Sequence, residues 1–267
     1  MNTTCICILN YNNGPKTVTC ISSVLKQTLE DWHILIIDNY STDDSIDFIR
    51  NFHDKEPSLK GKVNMITSDS NDGYSGGNNL GMKLAKSFSI FSFLLIINND
   101  VELKENFLEE MINRYEDLRR TCKTTKIALG ATETGVNGIV HHNGFHYIHL
   151  LSGITFSKPL FPSFKYIVGS SIFMDIRAPL MDESFFLYFD DVQYSKILRR
   201  KGYILESSPR SFFIHEVGGT VKQNIEGLIL KSLLRFYFLN YPYLLPLVIP
   251  VRLILILYLR IKNILFK

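Results

Sequence analysis

Residues 32–39 read Trp-His-Ile-Leu-Ile-Ile-Asp-Asn, and residues 93–100 read Phe-Leu-Leu-Ile-Ile-Asn-Asn-Asp. Each stretch is almost continuously apolar and then turns polar within one residue. Runs of this kind predict strands that are buried on both faces, as in a parallel sheet with helices on both sides. Because ligands of open α/β sheets bind beyond the carboxyl ends of the strands, the two stretches also predict where a functional site lies.

Strand-like and helix-like segments alternate through the first half of the chain. Further strand-like runs occupy residues 5–9 and 63–67, and helix-like stretches occupy residues 16–27, 43–53, 77–86 and 104–118. This alternation predicts βαβ units. From about residue 126 the strands become shorter, and no linker-like stretch separates the two halves. We therefore predict one mixed α/β domain over residues 1–221, with a nucleotide-binding first half and an acceptor-binding second half.

The charge of the chain is unevenly distributed. The formal net charge is only +3, which is too small for the electrostatic footprint of a nucleic-acid-binding protein. Residues 222–267 carry seven basic residues and one acid, so residues 1–221 are acidic overall. The two parts are therefore expected to have different roles.

The basic, hydrophobic C-terminal segment, residues 222–267, contains an uncharged stretch at residues 236–251. This stretch is shorter than the roughly 20 residues of a spanning helix, and its three prolines are expected to interrupt regular helical hydrogen bonding. A helix or helical hairpin lying on an anionic membrane surface fits the composition better. The alternative is a C-terminal helix that packs on the body of the protein or on a second copy in a homodimer.

The cysteines and the first residues of the chain indicate a compartment. The four cysteines form no CxxC pair, and the N-terminus shows no basic region followed by an apolar stretch, as a signal peptide would. A reducing environment fits best. Together with the basic segment, this predicts a cytoplasmic protein that is peripheral on the inner face of the cytoplasmic membrane.

Polar residues at the strand ends are the first candidates for a site. A carboxylate such as Asp38, at the tip of a strand, can accept hydrogen bonds from a nucleobase or a ribose. Asp100, which follows Asn98 and Asn99, can bind a divalent cation that bridges a diphosphate. The structural alternatives are a helix cap at Asp43 and an Asx turn that closes the strand.

Two further stretches precede predicted helices. Residues 71–81 are rich in glycine and asparagine, and backbone N–H groups at such a helix start suit a phosphate or a sugar. A flexible turn is the alternative. Residues 181–192 are rich in aromatic side chains and end in Asp190 and Asp191. The helix dipole is expected to lower the pKa of these acids, and one that faces a cleft could act as a general base toward a sugar hydroxyl.

Histidines provide the remaining candidates. His215 ends an apolar run and is either a metal ligand or a structural histidine. Four histidines at positions 141, 142, 146 and 149 do not have the spacing of a zinc site, and they predict a solvated hairpin.

Taken together and in order, these pieces resemble the family 2 glycosyltransferases of the GT-A fold, which has a Rossmann-like mixed sheet. The nearest subgroup is the bacterial rhamnosyltransferase-like enzymes of surface polysaccharide synthesis. Four blocks carry the resemblance, at residues 8–12, 38–45, 76–79 and 185–215, and it extends over about residues 3–220.

The resemblance implies a role for individual residues. It implies a donor-binding set in which Asp38 contacts the base and Asn78 lies near the ribose or diphosphate; the full set is Leu9, Asn10, Tyr11, Asp38, Asn78 and Asn99. Asp100 matches the last acid of the family's DXD motif and would bind Mg²⁺ or Mn²⁺, with His215 as second ligand. Asp191 matches the catalytic base. The implied reaction is an inverting transfer from a UDP- or dTDP-sugar to a saccharide or lipid-linked acceptor.

Two other functions are possible alternatives to a family 2 glycosyltransferase. A dinucleotide-dependent oxidoreductase is disfavoured because residues 9–15 lack the three-glycine turn that lets a pyrophosphate approach. A non-catalytic sugar-binding or nucleotide-binding relative stays open, because Asn98 and Asn99 stand where the family commonly has acids.

Overall fold

The two apolar runs form strands of the same sheet, one on each side of a third strand. In this computed structural model, which describes residues 3–215 and 225–265, β1 (Thr3–Asn10) lies between β2 (Trp32–Asp38) and β4 (Phe91–Asn98) and is parallel to both. β3 (Val63–Thr67) continues the parallel pairing on the far side of β2. The predicted parallel arrangement of the first half is confirmed.

Helices follow these strands as the alternation predicted, with shifted ends. They are α1 (Gly14–Val24), α2 (Ser45–Lys55), α3 (Gly73–Ser87) and α4 (Phe107–Cys122). α3 begins before residue 77, so most of the Gly- and Asn-rich stretch lies inside the helix and not in a loop before it. Gly77 and Gly81 face the sheet, and a Cβ on Gly81 would lie 2.6 Å from Cδ1 of Ile37. These glycines therefore let the helix pack close to β1 and β2.

The second half of the chain adds strands to this same sheet, and the short strand β5 (Val101–Leu103) of the first half joins its far edge. The strands of the second half are β6 (Ile127–Thr134), β7 (Val140–Asn143), β11 (Ser171–Asp175) and β12 (Ile204–His215). The strand order is β3-β2-β1-β4-β11-β6-β12-β5, with β7 paired to β6. The two halves thus share one mixed α/β sheet, as predicted.

A small second sheet lies apart from the large one. It consists of β8 (Phe145–His149), β9 (Thr155–Phe156) and β10 (Ser163–Ile167), all antiparallel. The apolar residues from 166 to 175 belong to two strands in two sheets, β10 and β11, because the chain turns between residues 167 and 171. The hairpin that was predicted to be solvated also needs correction, since His142 is buried.

Apolar side chains fill both faces of the large sheet. On one face α1, α2 and α4 cover the strands, with Ile21, Ile49 and Met111 fully buried. On the other face α3 and α5 (Asp190–Arg200) contribute Met82 and Tyr194. Burial of the central strands on both faces explains their unbroken apolar sequences.

The described part of the C-terminal segment forms two helices, α6 (Ile225–Asn240) and α7 (Leu245–Leu265). Pro246 lies in the first turn of α7, where its missing N–H has no helical partner, and Pro250 is accommodated inside the helix. The expected interruption by prolines is thus limited to a short turn at Pro242–Leu244. Among the described helices, none is both long and apolar enough to cross a membrane.

Helix α6 packs on the body of the protein. Leu233, Phe236 and Tyr237 are fully buried in a cluster with residues of the second sheet and of α5, including Ile148 and Val192. The boundary predicted between residues 221 and 222 falls in residues 216–224, outside the described residues. The packing of α6 means that the C-terminal segment is in part a structural element of the body.

Gly130 on β6 provides a test of this architecture. A Cβ at this position would overlap the backbone carbonyl of Gly144, which itself adopts a φ of +90°. Because two backbone segments must then separate, we expect Gly130→Ala to lower the free energy of unfolding by about 1–3 kcal/mol, measured by urea denaturation. Gly227→Ala is the matched control, since a Cβ there meets open space and alanine favours a helix by about 1 kcal/mol. Equal stability of the Gly130 variant and the wild type would contradict the close approach.

Candidate functional site

The carboxyl ends of three parallel strands lie level with one another. Asn10 pairs with Asp38 across β1 and β2, and Leu9 pairs with Asn98 across β1 and β4. Three residues of the predicted donor-binding set, Asn10, Asp38 and Asn99, contact one another beneath this edge. Nδ2 of Asn10 donates to Oδ1 of Asp38 at 2.7 Å, and Nδ2 of Asn99 donates to Oδ1 of Asn10 at 3.2 Å. The edge that the sequence indicated is therefore built from the predicted polar residues.

Asp38 is buried, and its carboxylate is engaged within the protein. Oδ1 also accepts a hydrogen bond from Oγ of Ser41 at 2.6 Å, and Oδ2 accepts one from the backbone N–H of Ser41 at 2.9 Å. These bonds shape the turn into α2. Asp44 is the N-cap residue of α2, and its side chain makes no capping hydrogen bond, so the predicted cap at Asp43 is wrong. Oδ1 of Asp43 instead accepts from the N–H of Ser45 at 3.0 Å in an Asx turn. The structure thus gives Asp38 a structural role, and its contact with a base stays a prediction.

The other donor-binding candidates differ in exposure. Leu9 is partly buried beneath α3, whereas the side chain of Tyr11 is 37% exposed at the edge. Asn78 is fully buried, and its Nδ2 donates to the carbonyl of Tyr74 at 2.9 Å. Oδ1 of Asn78 accepts no hydrogen bond in the described part of the chain. Because this oxygen is buried, the contact of Asn78 with a ribose or diphosphate stays a prediction.

The two predicted metal ligands lie next to each other. β12 pairs with β5 so that His215 is opposite Val101, which brings the imidazole beside Asp100. Oδ1 of Asp100 lies 3.2 Å from Nε2 of His215, is buried, and accepts no well-aligned hydrogen bond. Burial lowers the pKa of His215, but the nearby carboxylates of Asp100 and Glu133 outweigh it and raise the pKa to about 9. The histidine is therefore protonated at neutral pH in the free protein, and a divalent cation would take the place of that proton.

A divalent cation fits this pair only with help from a ligand. In residues 3–215 and 225–265, no group of three acidic, histidine or cysteine side chains is placed to hold one ion. The side chain of Asn99 bonds to Asn10 and Thr17. Within the motif Asn98-Asn99-Asp100, Asp100 alone carries a negative charge. Mg²⁺ commonly takes one or two protein carboxylates and completes its shell with water and substrate phosphates. Asp100 and His215 thus suit a cation that arrives with a diphosphate.

Glu133 on β6 is a site residue that the sequence did not reveal. Its buried carboxylate lies 3.2 Å from Nδ1 of His215, 3.0 Å from Nε2 of His142 and 3.1 Å from Nδ1 of His141. Burial would raise its pKa, but hydrogen bonds from His142 and His215 hold the pKa well below the ordinary range. The only sequence signal was the histidine pair at 141 and 142, which is close to this strand.

Asp190 and Asp191 begin α5, after two residues in the left-handed conformation. Tyr188 and Phe189 have φ values of 66° and 59°. Oδ2 of Asp191 accepts a hydrogen bond from the N–H of Gly169 at 3.1 Å, and Oδ1 accepts one from the N–H of Val192 at 2.8 Å. The strained turn therefore aims Asp191 at the loop that enters β11.

The pKa shifts of this acid pair are opposite to the expected direction. Burial raises the pKa of both carboxyl groups, and the charge of Asp191 raises that of Asp190 further. The helix dipole is worth at most about 2 kcal/mol in partly buried sites, and here desolvation exceeds it. A carboxyl group whose pKa is raised toward neutrality is better suited to accept a proton as a general base.

The start of α3 holds the segment that carries the acids. The N–H of Tyr74 donates to the carbonyl of Phe186 at 2.7 Å, and the amide of Asn79 bonds to both the N–H and the carbonyl of Met181. Oη of Tyr74 donates to the carbonyl of Gly169 at 2.5 Å. The Gly- and Asn-rich stretch therefore acts largely as a scaffold for residues 181–191.

Helix α6 supports the same segment from behind. Oγ of Ser232 donates to the carbonyl of Leu187 at 2.9 Å, and Nδ2 of Asn240 donates to Oε1 of Gln193 at 2.7 Å. The ring of Phe236 packs 6.1 Å from that of Phe189. The C-terminal segment is thus part of the wall behind the acid pair.

Comparison with known proteins identifies a family that matches this chain. The model of the family described as Glycosyl transferase family 2 matches residues 5–175, from β1 to β11. Glycosyltransferase GlyG of Streptococcus pneumoniae serotype 4 is 26% identical over 107 residues, which are 40% of this chain and 33% of GlyG. The low-salt glycan biosynthesis hexosyltransferase Agl10 of Haloferax volcanii is 25% identical over 147 residues, which are 52% of this chain and 47% of Agl10. The chain therefore spans less than half the length of these curated relatives.

Solved structures show the same fold at low sequence identity. GalNAc-T7 with UDP, GalNAc and Mn²⁺ is similar over 91% of this chain and 49% of its own, with a TM-score of 0.71 and 17% identity. S. aureus TarS 1–349 in complex with UDP is similar over 88% of this chain and 72% of its own, with a TM-score of 0.57 and 13% identity. The two likenesses extend the shared fold beyond residue 175, to the part of the chain that contains Asp191.

The raised pKa of Asp190 has a consequence for stability. Because the folded state holds this proton more tightly than the unfolded chain, stability from this group is full at low pH and is lost as the pH rises through the raised pKa. We expect the free energy of unfolding of the wild type to fall between about pH 5 and about pH 8, and to fall less in Asp190→Asn. Urea denaturation at both pH values measures the difference, with Asp182→Asn as a half-exposed control. The same pH dependence in the wild type and Asp190→Asn would show that Asp190 titrates normally.

Proposed function

The chain belongs to glycosyl transferase family 2, and on that premise we propose that it is an inverting glycosyltransferase that moves a sugar from a nucleotide-sugar donor to a saccharide or lipid-linked acceptor. The match of the family over residues 5–175 and the shared fold of the UDP-bound structures support a nucleotide-sugar donor. The proposal assigns donor binding to the edge formed by β1, β2 and β4 and assigns the chemistry to Asp191.

One observation carries the proposal: a two-residue segment links the acid pair to the candidate metal pair. The N–H of Gly169 donates to Asp191, while the carbonyl of Ser170 accepts from the N–H of Asn98, two residues before Asp100. Oγ of Ser170 also lies 3.5 Å from the carboxylate of Glu133, which contacts His215. This link supports the proposal of a base and a diphosphate-binding pair at the same edge of the sheet, which a displacement at an anomeric carbon requires.

The chemistry follows from these positions. Asp191, as carboxylate, accepts the proton of an acceptor hydroxyl while that oxygen forms a bond to the anomeric carbon. The bond from this carbon to the donor phosphate breaks on the opposite face, and the nucleoside diphosphate leaves with the electron pair. Attack opposite to the leaving group inverts the anomeric configuration. When bound, Mg²⁺ or Mn²⁺ would be held by Asp100 and His215 and would offset the negative charge of the diphosphate.

The finer identity of the substrates is also part of the proposal. UDP in two similar structures favours a UDP-sugar over a dTDP-sugar. The names of the relatives, a bacterial glycosyltransferase and a glycan biosynthesis hexosyltransferase, favour a saccharide acceptor in surface polysaccharide synthesis. The rhamnosyltransferase-like subgroup rests on the sequence blocks alone. A non-catalytic relative that binds a sugar nucleotide is the alternative, motivated by Asn98 and Asn99.

Asp191→Asn separates catalysis from donor binding. An amide cannot take up the acceptor proton, so we expect sugar transfer to fall by at least about 10²-fold, while the thermal shift produced by UDP with Mn²⁺ is unchanged. A screen of UDP-, dTDP- and GDP-sugars against the wild type identifies the donor, because stabilisation scales with concentration over Kd. The neighbouring Asp182→Asn serves as control. Near-normal turnover by Asp191→Asn would refute the assignment of the base.

The exposed surface of α6 and α7 supports a peripheral membrane location. Phe238 on α6, Tyr243 in the turn between the helices and Ile254 on α7 are 69%, 72% and 68% exposed. The charged residues near them in the sequence are mostly basic. Exposed apolar side chains flanked by Lys and Arg are typical of helices that lie in the interface of an anionic membrane. We therefore place the enzyme on the inner face of the cytoplasmic membrane, where a lipid-linked acceptor would be available.

Substitution of exposed side chains tests this location without removing the buried face of α6. We expect Phe238→Ser, Tyr243→Ser and Ile254→Ser, combined in one variant, to reduce flotation with vesicles that contain anionic lipid, since each change removes buried apolar area at the interface. Ile90→Ser, which changes another exposed apolar residue, is the control. Equal flotation of the triple variant and the wild type would refute membrane docking. A concentration-dependent dimer that dissociates in the triple variant would instead assign this surface to a second copy.

A further inference from the structure

The carboxylate of Glu133 is surrounded by imidazole rings. Its Oε1 lies 3.1 Å from Nδ1 of His141, and its Oε2 lies 3.0 Å from Nε2 of His142 and 3.2 Å from Nδ1 of His215. Only 5% of the residue is exposed. A buried carboxylate is costly unless N–H groups are directed at it, so the three rings must present N–H groups to Glu133.

The hydrogen bond to Glu133 determines which nitrogen of His215 is free. A neutral imidazole carries one N–H donor and one acceptor nitrogen. If Nδ1–H donates to Glu133, the lone pair of His215 lies on Nε2, which is 3.2 Å from Oδ1 of Asp100. That oxygen is buried and has no other partner in the described part of the chain. Nε2 of His215 and Oδ1 of Asp100 are therefore close enough to bind the same divalent cation.

The strand order of the large sheet explains why Glu133, His215 and Asp100 lie next to one another. The strand order places β12 between β6 and β5. Glu133 lies on β6, opposite Phe213 of β12, and His215 lies on β12, opposite Val101 of β5. The imidazole of His215 is therefore held between the carboxylate of Glu133 on β6 and the carboxylate of Asp100, which directly precedes β5. Both contacts are set by backbone pairing, which gives the ring little freedom to turn.

We propose that Glu133 is a positioning residue that orients His215, so that Nε2 and Asp100 bind the divalent cation of the donor complex. The inference rests on the proposed metal-dependent transfer and adds to it a residue that neither touches the metal nor the substrate. A carboxylate that receives the second N–H of a metal-binding histidine fixes its tautomer and ring orientation, and loss of such a partner typically weakens metal binding about 10–100-fold. His141 and His142 complete the shell that keeps Glu133 ionised.

The test measures metal binding directly. Mn²⁺ is titrated calorimetrically into the full-length protein in the presence of UDP, for the wild type, Glu133→Gln and Glu206→Gln. We expect Glu133→Gln to bind Mn²⁺ about 10–100-fold more weakly, with UDP binding in EDTA unchanged. Glu206 lies on the same strand as His215 and pairs with Arg114 at 3.9 Å, so Glu206→Gln controls for the loss of one negative charge.

A double-mutant comparison separates orientation of His215 from a general structural effect. If Glu133 acts through His215, Glu133→Gln causes no further loss of Mn²⁺ affinity in a His215→Gln background. Should Glu133→Gln melt below the working temperature, Glu133→Asp replaces it, because it keeps the charge and withdraws the carboxylate by one methylene group. Wild-type Mn²⁺ affinity in either folded variant, or additive losses in the double variant, would overturn the inference.

The outcomes for the inference and for the proposed function can be told apart. If the wild type binds Mn²⁺ and the Glu133 variants bind it equally tightly, the inference fails and the transferase proposal stands. If the wild type binds no Mn²⁺ with UDP, both the metal dependence and the inference fail. If Mn²⁺ binding follows the expected pattern but no sugar is transferred, the inference stands and the proposed activity fails.

Discussion

The parallel pairing of β1 with β2 and β4 is the constraint on which the rest of the structure depends. Its register places Asn10, Asp38 and Asn98 at the same level, so every loop that follows these strands opens on one edge. Burial of the strands on both faces leaves this edge as the place where polar side chains collect. The hydrogen bonds among Asn10, Asp38 and Asn99 then fix the floor of the site, and the loops above it inherit their positions from that floor.

The candidate site combines buried carboxylates whose pKa values are shifted in opposite directions, and their surroundings explain the difference. Glu133 receives N–H groups from histidines that can themselves carry charge, which hold its pKa low and keep it ionised. Asp190 and Asp191 receive backbone N–H groups alone, so burial prevails and raises their pKa. One environment therefore suits a carboxylate that must stay charged to hold a ring, and the other suits a carboxyl group that exchanges a proton. Pairs of acids pushed in opposite directions are a common basis for assigning catalytic roles.

Helix α6 connects the chemistry with the surface. Its buried face contacts the segment that ends in Asp191, through Ser232 and Phe236, while its other face exposes Phe238. The C-terminal segment, which the sequence predicted to lie on a membrane surface, thus supports the acid pair. The alternative of a C-terminal helix packed on the body describes one face of α6, and the membrane proposal concerns the other. The two roles are compatible because α6 carries apolar side chains on its exposed side as well as on its buried side.

The sequence by itself determined the alternation of strands and helices, the edge of the sheet that carries the site, and Asp100 and Asp191 as candidates. It could do so because burial on both faces and the change to polar residues at a strand end are local patterns. Only the tertiary structure decided that Glu133 meets His215, since the pairing of β6 with β12 joins residues 82 positions apart. It also decided the raised pKa of the acid pair and the burial of His142, because desolvation depends on which distant elements cover a residue. Local sequence encodes periodicity and caps, whereas long-range pairing and burial arise only when the whole chain has folded.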